Sequence, residues 1–249
     1  MKTKPIIIDT ETTGFSNEAE VIQIGVMDLE GNVLLDTLVQ CQGEIPQEAI
    51  EVHGITKDML VDAPVWAEVH EQLAELLFNA EYVIIYNNTF DTRLIKQTAQ
   101  RHGLTMPKYF SRCAMREYAN MYFDGEWVSL GEAAHYEHVD TTNIKAHSAV
   151  GDCEMTRQVW LALESEKEKR AKRKTKRLEL RNLKMELVPS DADSGKYTDY
   201  GQGWRPEGFK TLSQLRKRDL KKYQFAGTCC NTYGDRGYLF KPLAESKEA

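Results

Sequence analysis

Residues 6–14 read Ile-Ile-Ile-Asp-Thr-Glu-Thr-Thr-Gly, and this stretch constrains the fold more than any other part of the chain. Three consecutive isoleucines predict a strand covered on both faces, and Gly14 marks the turn after it. Residues two apart on a strand point to the same side, so Asp9 and Glu11 are expected to face one pocket. Converging carboxylates repel each other unless a hard cation lies between them. The stretch therefore predicts a buried strand that delivers a metal site; the alternative is a strand-ending turn with solvated acids.

The composition limits the class of protein. A chain of 249 residues with 41% hydrophobic residues can bury a proper core. Its net charge of −6 argues against general coating of nucleic acid but leaves a local groove open. Its five cysteines show no C-x-x-C spacing, which argues against a disulfide framework or a zinc site. The chain starts without an apolar leader and has no run long enough for a membrane span, so a cytoplasmic protein without a membrane partner is expected.

Hydrophobic periodicity and turn residues predict alternating strands and helices. Strands are predicted at residues 6–8, 21–28, 33–39, 82–86 and 109–113, the first three of them antiparallel. Asp62 is predicted to cap a helix with Pro64 in its first turn, and further helices are predicted from about residue 92 to 102 and over residues 114–123. Ser129 and Glu132 match a capping box. A last helix is predicted to run through residues 149–163, and residues 52–56 are predicted to form a short loop.

The chain after residue 163 differs in composition. Eight of the residues 167–177 are lysine or arginine, which is typical either of a solvated helix or linker or of an arm that contacts nucleic acid. We expect a domain over residues 1–163, a basic helical linker over 164–190 and a small appendage over 191–249. Within the appendage, a loop is predicted at 191–203, a helix at 211–222 and a hairpin through 233–238.

Polar residues follow three of the predicted elements, and together they resemble a known family. Asp9 and Glu11 follow the first strand, Asp91 follows the strand at 82–86, and His147 and Asp152 flank the start of the last helix. The motifs 8–14, 87–91 and 147–152 resemble those of the DEDDh 3′-to-5′ exonucleases, including RNase T-like members. Residues 52–56 also resemble a loop seen in relatives of the bacterial proofreading subunit. Tyr86 and Asn88 depart from the family's usual histidine and alanine without removing an acidic residue.

The resemblance implies roles for individual residues. It implies two divalent cations, Mg²⁺ or Mn²⁺, with Asp9 bridging both, Glu11 and Asp152 completing one, and Asp91 acting through water and the second ion. His147 is implied as the general base, because an imidazole has an ordinary pKa of about 6.5. The residues implied to bind the terminal nucleotide are Thr10, Thr12, Gly14, Phe15, His53, Asn87 and Phe90. For Phe15 and Phe90, core packing is the alternative.

The resemblance also implies a fold and an activity. The expected fold is an α/β, RNase H-like domain with a mixed five-stranded sheet flanked by helices, followed by the basic helical extension and the appendage. The expected activity is metal-dependent 3′-to-5′ hydrolysis of single-stranded nucleic acid, with DNA favoured and nucleoside 5′-monophosphates released. RNA trimming stays open, as does a non-catalytic adaptor that binds nucleic acid or a polymerase. A protein partner at the C-terminal region is a further expectation.

Overall fold

The first strand, β1 (Ile6–Thr12), is the middle strand of a five-stranded sheet. The computed structural model describes residues 4–192, 198–202, 207, 209–230 and 236–243. β1 pairs antiparallel with β2 (Val21–Asp28), which pairs antiparallel with β3 (Val33–Leu38). On its other side β1 pairs parallel with β4 (Val83–Ile85), which pairs parallel with β5 (Ser111–Cys113). The order β3-β2-β1-β4-β5 confirms the predicted mixed sheet.

Six helices accompany this sheet in the described residues. They are α1 (Gln47–His53), α2 (Trp66–Asn79), α3 (Asn88–Arg101), α4 (Ala114–Tyr122), α5 (Leu130–Tyr136) and α6 (Ala149–Met185). A short 3₁₀ helix, Lys57–Leu60, follows α1. The predicted capping box of α5 is present, since the Glu132 amide donates to the Ser129 hydroxyl and the Glu132 carboxylate accepts from the Ser129 amide.

The isoleucine run of β1 explains the layering, because alternate residues of a strand face opposite sides of its sheet. Ile6 and Ile8 pack in the core beneath α2 and α3. Ile7 packs in a second core formed with α4, α5 and the first turns of α6. All three side chains are buried. Helices therefore cover both faces of the sheet, as expected for the RNase H-like fold.

Three element boundaries differ from the sequence prediction. Val52 and His53 are the last residues of α1 rather than loop residues, and Gly54 ends the helix at φ +74°. Asp62 does not cap α2, which begins at Trp66; the Pro64 carbonyl instead accepts from the Gln40 amide. α3 begins at Asn88, four residues earlier than predicted. The Asn87 carbonyl, two residues after β4, already accepts hydrogen bonds from the amides of Phe90 and Asp91.

The chain divides into two compact units, Met1–Glu166 and Lys167–Ala249. α6 continues across this division, and the basic residues 167–177 lie within this helix. The second unit has a four-stranded sheet in the order β6-β8-β9-β7, from β6 (Thr198–Gln202), β7 (Lys210–Thr211), β8 (Tyr223–Cys230) and β9 (Arg236–Pro242). None of the helices in the described ranges is both long and apolar enough to cross a bilayer.

Two predictions for the second unit are wrong. The segment 211–222 is not an α-helix; pairing of β7 with β9 holds its start, and it continues through turns and a 3₁₀ helix, Lys217–Asp219. Residues 198–202 of the predicted loop form β6, which pairs parallel with β8, while residues 193–197 and 203 lie outside the described residues. The antiparallel pairing of β8 with β9 confirms the hairpin, although residues 233–235 lie outside the described ranges.

Candidate active site

The end of β1 places two carboxylates on one side of the sheet. Asp9 and Glu11 follow Ile7 at intervals of two, so they share its side, which is the side that α6 covers. Glu11 is buried, and its backbone pairs with Gln23 of β2. The sheet therefore fixes both acids against the first turn of α6.

Close packing of α6 on β2 delivers the third carboxylate. A Cβ atom added to Gly25 would lie 2.6 Å from the Ala149 carbonyl carbon, so only glycine permits this approach. The Ala149 amide donates to Gln23 Oε1 at 3.2 Å. Asp152, in the first turn of α6, then lies beside Asp9. The sequence predicted the acid but not the glycine that lets its helix approach.

The three carboxylates form a cluster suited to a cation. Asp9, Glu11 and Asp152 each offer an oxygen, and these atoms all lie within 4.8 Å of one another. Burial raises the pKa of Glu11 to about 8, with a further contribution from the charges of Asp152 and Asp91. Burial also raises the pKa values of Asp9 and Asp152. Raised values of this kind mark negative charge that lacks compensation, which a divalent cation supplies.

Asp91 lies beside this cluster and is oriented differently. It is buried in the first turn of α3, where it accepts a hydrogen bond from the Thr10 hydroxyl at 2.8 Å. Burial raises its pKa to about 7, and its charge in turn raises the pKa of Asp9. Thr10 faces the opposite side of β1 from Asp9. Asp91 is therefore adjacent to the three clustered carboxylates without being one of them.

His147 stands exposed just before α6. Its backbone has φ +54°, and its amide donates to Asp152 Oδ1 at 3.2 Å. Gly151 permits the turn, because an added Cβ atom would lie 2.0 Å from the Lys145 carbonyl oxygen. Burial lowers the pKa of His53, and the charge of His147 lowers it further. The turn thus brings His147 to the edge of the acidic cluster.

A cavity of about 360 Å³ opens beside the acids. Six of the seven residues predicted to bind substrate line it: Thr10, Thr12, Gly14, Phe15, His53 and Phe90. Asn87 is not among the lining residues; it precedes α3, where its carbonyl accepts from the amides of Phe90 and Asp91. α1 adds apolar lining from Ala49 and Val52, which the sequence analysis did not identify.

Phe15 projects from the loop after β1. Its side chain is 84% exposed, and its ring centroid lies 5.4 Å from that of Phe90. Phe15 is therefore not a core residue, whereas Phe90 is partly buried against the core.

Two residues of α3 hold this loop. Arg93 donates to the Phe15 carbonyl at 3.1 Å, and its guanidinium lies 5.6 Å from the centroid of the Phe90 ring. Gln97, one helical turn further on, donates to the Ala19 carbonyl at 2.6 Å. Neither residue was predicted from the sequence, although their spacing of four places them on one helix face.

A model of the exonuclease family, RNase_T, matches residues 6–160, which is more than half of the chain. This chain belongs to the DEDDh family of 3′-to-5′ exonucleases. The match spans β1 to the first part of α6, which are the elements that carry the acids and His147.

Curated relatives of this exonuclease are similar over much of their own lengths. The uncharacterized exonuclease CP81 of Escherichia phage 186 is 44% identical over 165 residues, covering 61% of this chain and 83% of the relative. The DNA polymerase III subunit epsilon of Escherichia coli K12 is 27% identical over 175 residues, covering 65% of this chain and 71% of the relative.

Solved structures show the same fold at low sequence identity. The nuclease domain of 3′hExo, a DEDDh family member bound to rAMP, matches with a TM-score of 0.54 at 14% identity, covering 65% of this exonuclease and 92% of that chain. Exonuclease X in complex with 5′-overhanging duplex DNA matches with a TM-score of 0.52 at 21% identity, covering 65% and 92%. These likenesses confirm the RNase H-like architecture.

Proposed function

We propose that this exonuclease removes nucleotides one at a time from the 3′ ends of single-stranded nucleic acid, with DNA preferred, and releases nucleoside 5′-monophosphates. The observation that carries the proposal is the cluster of Asp9, Glu11 and Asp152 next to a cavity that Glu11 and the rings of Phe15 and Phe90 line. A reaction centre and a site for one nucleoside lie side by side. The cavity has room for a terminal nucleoside whose base has been separated from the strand.

The clustered acids fit a hard divalent cation. All three ligands are carboxylate oxygens, which suit Mg²⁺ or Mn²⁺ rather than zinc. Asp9, Glu11 and Asp152 would hold the metal, with Asp91 beside them. Two such ions stabilise the charge on the attacking and leaving oxygens of a phosphodiester displacement. Without a cation, the raised pKa values of these acids would keep protons on the cluster near neutral pH.

His147 is assigned the proton transfer. Its imidazole is exposed at the edge of the acidic cluster, where it takes a proton from the attacking water. The water oxygen forms a bond to phosphorus, and the bond from phosphorus to O3′ of the preceding nucleotide breaks. That oxygen gains a proton and becomes the new 3′ hydroxyl, while the 5′ phosphate leaves on the released nucleotide.

The terminal nucleoside is assigned to the cavity. Phe15 and Phe90 offer ring faces to its base or sugar, and stacking of this kind tolerates any base. His53 lines the cavity with its ring held in place, because the Ile55 amide donates to its Nδ1 atom at 2.9 Å. The ring edge can then pack against the sugar. Little sequence preference is therefore expected, and substrate contact by Asn87 stays a prediction.

A non-catalytic adaptor fits the site poorly. Burial of uncompensated carboxylates destabilises a fold unless a ligand compensates them. The related epsilon protein is named as a subunit of DNA polymerase III, but the family match ends at residue 160, before the second unit. A protein partner at the C-terminal region and a cytoplasmic location stay predictions.

The polarity and the sugar preference can be tested together. Single-stranded DNA and RNA, each labelled at the 5′ end and carrying either a free or a blocked 3′ end, are incubated with Mg²⁺ or Mn²⁺. We expect stepwise shortening of strands with free 3′ ends, faster for DNA, and protection of blocked strands. Faster loss of RNA would favour the exoribonuclease instead, and equal loss of blocked and free strands would contradict 3′-to-5′ hydrolysis.

A further inference from the structure

The charge of this chain is divided unevenly between its two units. Residues 167–249 contain 21 lysines and arginines against 11 aspartates and glutamates, a net charge of +10. Residues 1–166 contain 11 basic against 27 acidic residues, a net charge of −16. A unit of such negative charge repels a polyanion at a distance, whereas the second unit attracts one. The overall charge of −6 conceals this difference.

Part of the positive charge lines a groove within the second unit. A cavity of about 490 Å³ lies between one face of α6 and the 3₁₀ helix Lys217–Asp219. Lys172, Lys176 and Lys217 line it, together with one acidic residue, Glu179. Ala171, Leu180 and Leu183 add apolar lining, and Leu183 is 38% exposed. The groove therefore combines cations with apolar surface, which a uniformly solvated helix would not provide.

A second hollow adjoins the same 3₁₀ helix. It has a volume of about 640 Å³, and its lining includes Lys210, Arg216 and Arg218 together with Phe209. No acidic residue is among the lining residues. Arg216 and Arg218 are exposed and flank Lys217 of the groove in sequence. Consecutive basic residues of the segment 216–218 thus line the two hollows.

We propose that this surface of the second unit binds the phosphate backbone of single-stranded nucleic acid. Lysines spaced along a groove neutralise successive phosphates, while leucines and an aromatic ring accept sugars and bases that a single strand leaves unpaired. An acidic protein segment would match the positive charge, but its carboxylates would make no favourable contact with the apolar lining. The choice of ligand rests on the proposed function, since the substrate of the active site is the same polymer.

The test is binding of a 20-nucleotide single strand with a blocked 3′ end, measured by fluorescence anisotropy in chelator so that no cleavage occurs. The groove variant carries Lys172→Gln, Lys176→Gln and Lys217→Gln. The control carries Lys174→Gln, Arg177→Gln and Arg181→Gln, which remove the same charge from positions on the other side of α6. Both sets of substitutions lie outside the active site, so hydrolysis of a dinucleotide shows that the first unit is intact, and circular dichroism shows whether the second unit keeps its secondary structure.

The groove variant should bind on the order of 100-fold more weakly at 0.1 M salt, with the salt dependence reduced by about two units of slope. The control should lose much less affinity. Equal loss in both variants would overturn the groove as a site and leave only diffuse attraction. Unchanged binding in the groove variant would also overturn the proposal and favour an acidic protein as the ligand. If the unmodified chain does not hydrolyse a dinucleotide in the presence of Mg²⁺ or Mn²⁺, that result would instead count against the proposed function.

Discussion

Asp9, Glu11 and Asp91 make the folded protein bind protons more tightly than the unfolded chain does. Glu11 has a pKa of about 8 in the fold against 4.5 ordinarily, and Asp91 a pKa of about 7 against 3.8. A group whose pKa is higher in the folded state contributes its whole stabilisation at pH values below its pKa in the unfolded chain. That stabilisation is lost as the pH rises through the pKa of the folded state. The metal-free protein should therefore lose stability between about pH 4.5 and pH 8.

Asp9→Asn tests this directly, because it removes one charge from the cluster with little change of shape. In chelator at pH 8, the variant should melt at a higher temperature than the unmodified protein, and the difference should shrink toward pH 5. Mg²⁺ should raise the melting temperature of the unmodified protein and have little effect on the variant. A difference in melting temperature that stays the same from pH 5 to pH 8 would show that the acids do not repel one another.

His147 should affect the rate rather than metal binding. Its side chain is exposed and is not one of the clustered oxygen ligands, so His147→Gln should leave the Mn²⁺ affinity within about twofold while kcat falls by about 10²–10⁴-fold. Calorimetric titration of Mn²⁺ together with steady-state kinetics separates the two effects. A matched loss of metal affinity and rate would assign His147 to the metal site instead.

Arg93 is expected to act by positioning the loop that carries Phe15. Arg93→Met should free the Phe15 carbonyl and raise KM for single strands by about tenfold with a smaller change in kcat, because the loop is then less ordered. Arg93→Lys keeps the charge and should restore only part of the affinity, since Lys lacks the planar fork. A fall in kcat alone, with KM unchanged, would contradict a positioning role.

At the scale of elements, the contact between β2 and α6 sets the geometry of the site. Gly25→Ala places a Cβ atom against the Ala149 carbonyl carbon at 2.6 Å, so the start of α6 must move and carry Asp152 with it. We expect kcat to fall at least about tenfold and the free energy of unfolding to fall by about 1–3 kcal/mol. Steady-state kinetics and urea denaturation measure the two losses.

Gly131→Ala is the matched control, since nothing lies within 4 Å of its added Cβ atom. This glycine is in α5, where alanine favours the helix by about 0.5–1 kcal/mol. The control should leave the rate unchanged. Retention of full activity by Gly25→Ala would show that α6 tolerates the shift and that the close approach is not needed.

Local patterns predicted the elements better than their long-range partners. The isoleucine run and its two acids predicted a buried strand and a shared pocket, because both depend on the alternation of side chains along a strand. The direction of Asp91 could not be predicted, since it depends on the early start of α3 and on the hydroxyl of Thr10. The approach allowed by Gly25 likewise joins residues far apart in sequence.

The segment 211–222 shows the same limit in the second unit. Its composition favours a helix, yet Lys210 and Thr211 pair with β9, and Leu215 is buried. Pairing across the sheet outweighs the local preference, because backbone hydrogen bonds and burial act together there. A sequence pattern contains no information on which distant strand will provide that pairing.

At the scale of the whole molecule, the chain combines an acidic unit that carries the active site with a basic second unit. The family match accounts for the first unit only, since it ends at residue 160. The acidic unit concentrates negative charge at the end of β1, where cations would bind. The basic unit concentrates positive charge on the groove along α6 and on the hollow that Arg216 and Arg218 line, where phosphates would bind.

The central claim is that the clustered acids support metal-dependent hydrolysis at a 3′ end. The most direct measurement is the rate at which nucleoside 5′-monophosphates are released from single-stranded DNA with Mg²⁺, compared between the unmodified chain and Asp9→Asn. We expect release of monophosphates by the unmodified chain and a rate lower by more than about 10³-fold in the folded variant. Equal rates in the two proteins, or no release by the unmodified chain with either Mg²⁺ or Mn²⁺, would contradict it.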